Sequence, residues 1–448
     1  FAGSSVCIQR FSVRCRRQRH MCIRVRVICP GDKSISQRVL IIGSLSNQNI
    51  LVSGFLDGED PLSTLRSLNQ IGSDILFEEG IVKISRRDVA FNSPVTPVDL
   101  GNSGTGMRLM MGLICGSGMQ ASLIGDESLM RRPMDRVASP LNQMGANIVT
   151  SNGTPPVMIN KTDIIEGFFY ELPVASAQVK SAILLAGVAA NKQVTVIEPS
   201  ITRDHTELML QYFGLNIISK EHGSGKEITF IPSNKIVAND YEVVGDFSSA
   251  AFLIVAALIA EDAELHMKNV GLNTTRCGLI NIIIYMGGSI EIKNERILCN
   301  EVVGDIAVKS SKLKGVDVSG NIIANIIDEI PILSIAAAAA DGETNISDAK
   351  ELRVKESDRL EAISNGLLAL GVEHKLFEDG ISITGGFSKK NGPIEINSFG
   401  DHRIAMSFLI SSLCIKNVVS VNTCSNIYTY FPNYTETIAK LSMHINEE

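Results

Sequence analysis

Within Leu352–Arg359 the chain sets three cations, Arg353, Lys355 and Arg359, beside two carboxylates, Glu356 and Asp358. Cations at this density can neutralise an anion, and a carboxylate among them can carry a proton to or from whatever is held. Leu360, Ile363, Leu367 and Leu370 follow at helical spacing, and Asp358 with Glu361 reads as a capping box. The charges therefore gather at a helix start, where free backbone N–H groups and the helix dipole favour an anion. A solvated charged face would look the same in isolation. Recurrence counts against that reading, because comparable helix starts are spread along the chain.

In Gly31–Arg38, Lys33 and Arg38 flank a helix start that Ser34 and Gln37 could close as a capping box. Two cations and a cap hydroxyl suit a small anion, although a purely structural cap is the alternative. Leu100–Gly106 is a glycine-rich helix start whose glycines allow close approach of a ligand to the backbone. It matches neither a Walker A loop nor a dinucleotide fingerprint, and a tight turn would also explain it. Arg131-Arg132-Pro133 and Thr202-Arg203-Asp204-His205 each bring an arginine near such a start; a surface ion pair is the plainer account. Asp328, Glu329 and Glu356 are the acid–base candidates, although acids at helix starts commonly serve as caps. Surplus positive charge keeps Glu356 ionised until bound anions neutralise it, after which it could donate a proton. His402, between Asp401 and Arg403, reads as a satisfied polar residue more than as a base.

Composition limits the alternatives. At 448 residues two domains are the default, and 45% apolar with 20% charged residues describes a globular protein. A formal net charge of -7 and the absence of Trp disfavour a nucleic-acid binder. The nine cysteines include no CxxC and no zinc-like Cys/His spacing, so no metal is expected. Apolar runs such as 250–260 and 332–340 are too short for a membrane span. Residues 1–23 stand apart as an Arg-rich, acid-free leader, either an artefact or a targeting segment, and the fold is expected to start at about residue 24.

Two repeated signals organise the rest. One ends a helix in glycine before a strand: Ile71–Ile75, Met144–Ile148, Phe213–Ile217, Met286–Ile290, Leu370–Val372 and, without glycine, Leu441–Met443. The other starts a helix with small or polar residues: Asp32–Ser34, Asn102–Thr105, Ser176–Gln178, Asp246–Ser248, Asp328–Pro331 and Asp401–Arg403. Both step by roughly 70–85 residues, long enough for a βαβ unit with a further helix and strands. The expected architecture is α/β, with six βαβαββ-type units, three to each of two domains. One domain would join 24–32 to 246–448 and the other would be 33–245, the chain crossing at the similar segments Pro30-Gly31-Asp32 and Gly245-Asp246.

In their order, Pro30–Arg38, Leu100–Arg108, Gly125–Met134, Ala175–Ala182, Thr202–Thr206, Gly245–Phe252, Asp328–Pro331, Leu352–Leu360 and Asp401–Met406 resemble the 5-enolpyruvylshikimate-3-phosphate synthase family of enolpyruvyl transferases. The resemblance covers about residues 24–440. It implies two domains of three α/β units with helix N-termini aimed at an interdomain cleft. It also implies transfer of the enolpyruvyl group of phosphoenolpyruvate to the 5-hydroxyl of shikimate 3-phosphate, with no metal or organic cofactor. Carried over by position, Lys33, Ser34, Arg38, Ser176, Ala177, Gln178, Arg203, Asp328 and Lys355 would hold shikimate 3-phosphate. Lys33, Asn102, Gly104, Thr105, Arg132, Gln178, Arg359 and Arg403 would hold phosphoenolpyruvate. Asp328 would accept the proton of the attacking hydroxyl, and Glu356, helped by Lys33, would protonate the methylene carbon.

The chain departs from common family patterns in places. Thr429-Tyr430-Phe431-Pro432 lacks the lysine many relatives carry just before the final Phe-Pro; Ala177 replaces a serine and Ser103 a common alanine. Gly104 is the residue type that implies sensitivity to glyphosate. The related UDP-N-acetylglucosamine transferases carry a Lys-Asn pair and a loop cysteine, whereas Ser34 follows Lys33 here and Gly125–Met134 has no Cys. A repeat module binding RNA ends would need a basic balance and stacking aromatics. The expected protein is a monomer of the cytoplasm, or of the plastid if the leader is a targeting segment, without nucleic-acid or membrane partners.

Overall fold

The computed structural model describes residues 10–15, 23–86, 90–232, 236–237, 239–388, 391–441 and 443–447. The chain divides into two compact units, one formed by 1–30, 245–296 and 303–448, the other by 31–244 and 297–302. The described residues form six four-stranded sheets. Every sheet has the same plan: a parallel pair, an antiparallel neighbour and a fourth strand at the far edge. The six-fold periodicity of the sequence is thus a periodicity of sheets.

Local chemistry explains the units. The helices that follow each leading strand are apolar on nearly all sides: Phe247–Ile259, for example, is buried from Phe247 to Leu258. Such a helix must lie inside its unit, between sheets. The second helix of each unit ends in glycine where expected, and Gly72, Gly145, Gly214, Gly287 and Gly371 all have positive φ, between 72° and 101°. The sixth position of that series, Ser442, lies outside the described residues.

Two expectations need correction. Arg10–Cys15, assigned to an atypical leader, is a strand between Val419–Asn422 and Met443–Glu447, antiparallel to both. Phe11 and Val13 are fully buried there, which the alternation in Phe11-Ser12-Val13 permits and the surrounding arginines obscured. The rest of that leader, 1–9 and 16–22, lies outside the described residues. Secondly, the helix Lys33–Gly43 is capped not by Ser34 but by Asp32, whose Oδ1 accepts from the Ile35 N–H at 2.9 Å. Gln37 instead turns inward and donates to the Ser103 Oγ. No helix among the described residues is long and apolar enough to cross a membrane.

Candidate active site

In the unit that contains 31–244, three helix starts carry the candidate residues: Lys33–Gly43, Gly104–Gly116 and Ala177–Ala190. Ser103 and Ser176 cap the second and third through the N–H groups of Gly106 and Val179. Helix starts of this kind favour a bound anion. Gln178 ties the second and third starts together. Its Oε1 accepts from Arg108 Nη1 at 2.7 Å and its Nε2 donates to Thr105 Oγ1 at 2.9 Å. Arg132, 8% exposed, donates to Asn102 Oδ1 at 2.6 Å, and Asn102 donates on to Asp126. A methyl group built on Gly104 would stand 2.8 Å from Arg132 Nη1. Asn102, Gly104, Thr105, Arg132 and Gln178 are therefore one connected group.

Lys33 is half-buried and donates to Asp60 Oδ2 at 3.0 Å. Arg38 is buried; its Nε donates to Thr206 Oγ1 at 2.8 Å, its Nη2 to Ser181 Oγ at 3.2 Å and its Nη1 back to the Ser34 carbonyl at 2.9 Å. Ser34, Ser176 and Ala177 are half-buried at these starts, and Arg203, just before the helix His205–Tyr212, is half-buried as well. Arg131, by contrast, forms a surface pair with Glu127, as the plainer account had it.

Sequence reasoning missed two features of this unit. Arg108 lies within a quoted motif but was not singled out, although it holds Gln178 and the Pro133 carbonyl. Lys180, wholly buried, pairs with Glu198 at 2.9 Å and Glu207 at 2.7 Å. Burial opposes its charge, but the two carboxylates raise the lysine pKa above its ordinary value. A lysine inside the run Val179–Gly187 was the available signal.

The other unit brings two of the acid–base candidates, Asp328 and Glu356, to one guanidinium, whereas Glu329 is buried and accepts from the Ser248 hydroxyl. Arg359 is 1% exposed; its Nε donates to Asp401 at 2.7 Å, its Nη1 to Asp328 at 3.2 Å and its Nη2 to Glu356 at 2.6 Å. Burial works against the cation, yet Asp401 and Glu356 hold its pKa above the usual arginine value. Arg403 donates from Nη1 to the Asp328 carbonyl at 3.0 Å, and its Nη2 lies 3.9 Å from Asp328 Oδ2. Lys355 lies 3.9 Å from Glu351. Burial lowers its pKa below that of an ordinary lysine, against the pull of Asp328 and Glu351. Asp358 caps the helix Arg359–Leu370 through the Glu361 N–H, as the capping box required. Asp401 caps His402–Ile410 while gripping Arg359, so one carboxylate both starts a helix and fixes a cation.

Such a set suits proton transfer between anionic reactants: two carboxylates held by charge-assisted bonds, and cations with little water to screen them. Among the described residues no His, Cys, Asp and Glu group could hold a metal ion.

Known proteins resemble this chain at the level of family, sequence and fold. A family model described as EPSP synthase (3-phosphoshikimate 1-carboxyvinyltransferase) matches residues 19–438. A 3-phosphoshikimate 1-carboxyvinyltransferase of Hydrogenovibrio crunogenus is 43% identical over 427 residues, covering 94% of this chain and 96% of that protein. One of Petrotoga mobilis is 45% identical, covering 94% and 97%. Among solved structures, an EPSP synthase from Acinetobacter baumannii gives a TM-score of 0.85 at 39% identity and covers 98% of this chain and all of that one. The enolpyruvyl transferase NikO from Streptomyces tendae gives 0.77 at 15% identity, which speaks for the fold alone. With the family model spanning nearly all of the folded chain and relatives this similar end to end, the chain belongs to the EPSP synthase (3-phosphoshikimate 1-carboxyvinyltransferase) family.

Proposed function

We propose that the chain transfers the enolpyruvyl group of phosphoenolpyruvate to the 5-hydroxyl of shikimate 3-phosphate and releases phosphate. The observation that best supports the roles is the Arg359 fork, which ties Asp328 and Glu356 to one buried cation. Asp328 removes the hydroxyl proton as the oxygen attacks C2 of phosphoenolpyruvate. Glu356 supplies a proton to the methylene carbon, giving a tetrahedral intermediate. A proton of the resulting methyl group then returns to the Glu356 carboxylate as the bond to phosphate breaks, which restores the double bond in the enol ether. In the unliganded chain Arg359 favours the Glu356 carboxylate; an anionic substrate on Arg359 and Arg403 offsets that field and lets Glu356 hold a proton.

Ser34, Arg38, Ser176, Ala177, Gln178, Arg203 and Lys355 serve shikimate 3-phosphate. Lys33, Asn102, Gly104, Thr105, Arg132, Gln178, Arg359 and Arg403 serve phosphoenolpyruvate. The Lys33–Asp60 pair opens to free the ammonium when substrate arrives. The protein works as a monomer, and glyphosate inhibits it in competition with phosphoenolpyruvate. Phosphate release measured with both substrates and with each omitted in turn tests the reading: turnover must require both. Lys33→Ala and Glu356→Ala must abolish most of it. Near-normal rates in both variants would remove these roles while leaving family membership intact.

A further inference from the structure

Arg403 sits in the first turn of its helix, 4% exposed, and its guanidinium is held on one side by the Asp328 carbonyl. On another side stands Tyr430, 1% exposed, from a short helix near the chain end. Arg403 Nη2 donates to the Tyr430 hydroxyl at 3.3 Å, and the guanidinium carbon lies 5.0 Å from the centre of the ring. The hydroxyl's own proton is committed elsewhere: it is donated to Asp246 Oδ2. Asp246 is itself immobilised, since Arg276 donates to its Oδ1 at 2.8 Å and it caps Phe247–Ile259 through the Ser248 N–H at 3.1 Å. With its proton fixed on Asp246, the phenol presents a lone pair to Arg403. His402 packs on the same ring with centroids 4.6 Å apart, which fixes the ring plane.

We infer that Tyr430 is a positioning residue that orients Arg403 for phosphoenolpyruvate, through a chain running from Arg403 to the phenol to Asp246. The preceding Thr429 does not share the task, because its hydroxyl turns back to the Asn426 carbonyl at 2.7 Å. The alternative arrangement, a phenol donating toward the Arg403 side, would set a hydrogen against a cation and remove one of the donors to Asp246 Oδ2. Burial of the phenol strengthens the selection, since neither Asp246 nor Tyr430 can turn to water. The inference rests on Arg403 being a phosphoenolpyruvate contact.

Steady-state phosphate release in four proteins tests it: wild type, Arg403→Lys, Tyr430→Phe and Tyr434→Phe. Tyr434 is the internal control. It is equally buried on the next helix, but its hydroxyl donates to the Met406 carbonyl at 3.2 Å. Tyr430→Phe keeps the ring against Arg403 and His402 and removes only the oriented oxygen. It should raise the phosphoenolpyruvate KM roughly tenfold, the scale of one hydrogen bond to a charged group. The shikimate 3-phosphate KM should stay within about twofold of wild type, and Tyr434→Phe should move neither KM while lowering stability by a similar amount. A Tyr430→Phe protein with an unchanged phosphoenolpyruvate KM, or one that merely fails to fold, makes Tyr430 a packing residue and overturns the inference. Absence of turnover in the wild type would instead strike the proposed reaction, and an unchanged KM in Arg403→Lys would strike the role of Arg403.

Discussion

Arg359 shows how one side chain can tie two carboxylates into one site. It bonds Asp328 and Glu356 at once, so neither carboxylate can be altered without changing the field at the other. Glu356→Gln keeps the shape and removes the proton carrier; kcat should fall by about 10²- to 10⁴-fold with little change in either KM. A KM effect larger than the kcat effect would mark Glu356 as a binding group only. Gly104 is the second sensitive point. Alanine there places its methyl 2.8 Å from Arg132 Nη1, and the guanidinium must move. Gly104→Ala should raise the phosphoenolpyruvate KM roughly tenfold and weaken glyphosate inhibition at least as much. Inhibition at the wild-type concentration would contradict the assignment of Gly104 and Arg132 to that anion. Lys355 supplies a pH test. Burial lowers its pKa from the ordinary lysine value of 10.5, so as pH rises it loses its proton earlier than a free lysine would. If its charge holds shikimate 3-phosphate, kcat/KM for that substrate must fall along an alkaline limb centred below 10.5, and Lys355→Arg must lack the limb. A limb that survives the arginine substitution belongs to another group.

At the scale of elements, helix starts were the legible part. Asp246, Asp358, Asp401 and Ser176 all cap the helices their positions suggested, because a short polar side chain before an apolar run has few other satisfactory places. Legibility failed where two residues could do the same job. Asp32 and Ser34 are both acceptable caps, and the choice was made by tertiary structure, which drew Gln37 toward Ser103 instead of the backbone. Partners distant in sequence were equally invisible: nothing in Lys180 announces Glu198 or Glu207, 18 and 27 residues on. That triad joins the helix Ala177–Ala190, bearing Ser176 and Gln178 at its start, to the helix His205–Tyr212 that follows Arg203. Lys180→Met would leave two carboxylates buried without a counter-ion, at a cost of about 3–5 kcal/mol at neutral pH. Burial already raises the Glu207 pKa, with Lys180 opposing the rise; without that lysine the folded state binds protons more tightly than the unfolded. The destabilisation must therefore shrink as pH falls, which urea midpoints at two pH values would reveal. An equal loss at both would mean the triad is not ionised as drawn.

At the scale of the whole molecule, a chain of net charge -7 is assigned two anionic substrates. The conflict is resolved locally, since four of the assigned cations, Arg38, Arg132, Arg359 and Arg403, are at most 8% exposed, while Lys33, Arg203 and Lys355 are half-buried. Mean charge governs long-range steering, whereas buried guanidinium groups act at contact and are screened little by salt. The same scale explains why the sequence reading began the fold too late. Six sheets need twenty-four strands, and the last sheet obtains an inner strand from the chain start: Arg10–Cys15 runs antiparallel between Val419–Asn422 and Met443–Glu447. Its loss would make Val419–Asn422 an edge and leave Met443–Glu447, already the outermost strand, without its partner. Phe11 also packs edge-on against Tyr428, with ring centroids 5.8 Å apart. Burying Phe11 and Val13 contributes about 3–6 kcal/mol together, a large part of the stability of an ordinary domain. Deleting residues 1–15 should therefore lower the urea midpoint sharply or leave the protein insoluble, and should reduce turnover through Tyr430 and Arg403, which the neighbouring chain end supports. Full stability and activity in that truncated protein would show that the strand is dispensable and that the fold closes without it.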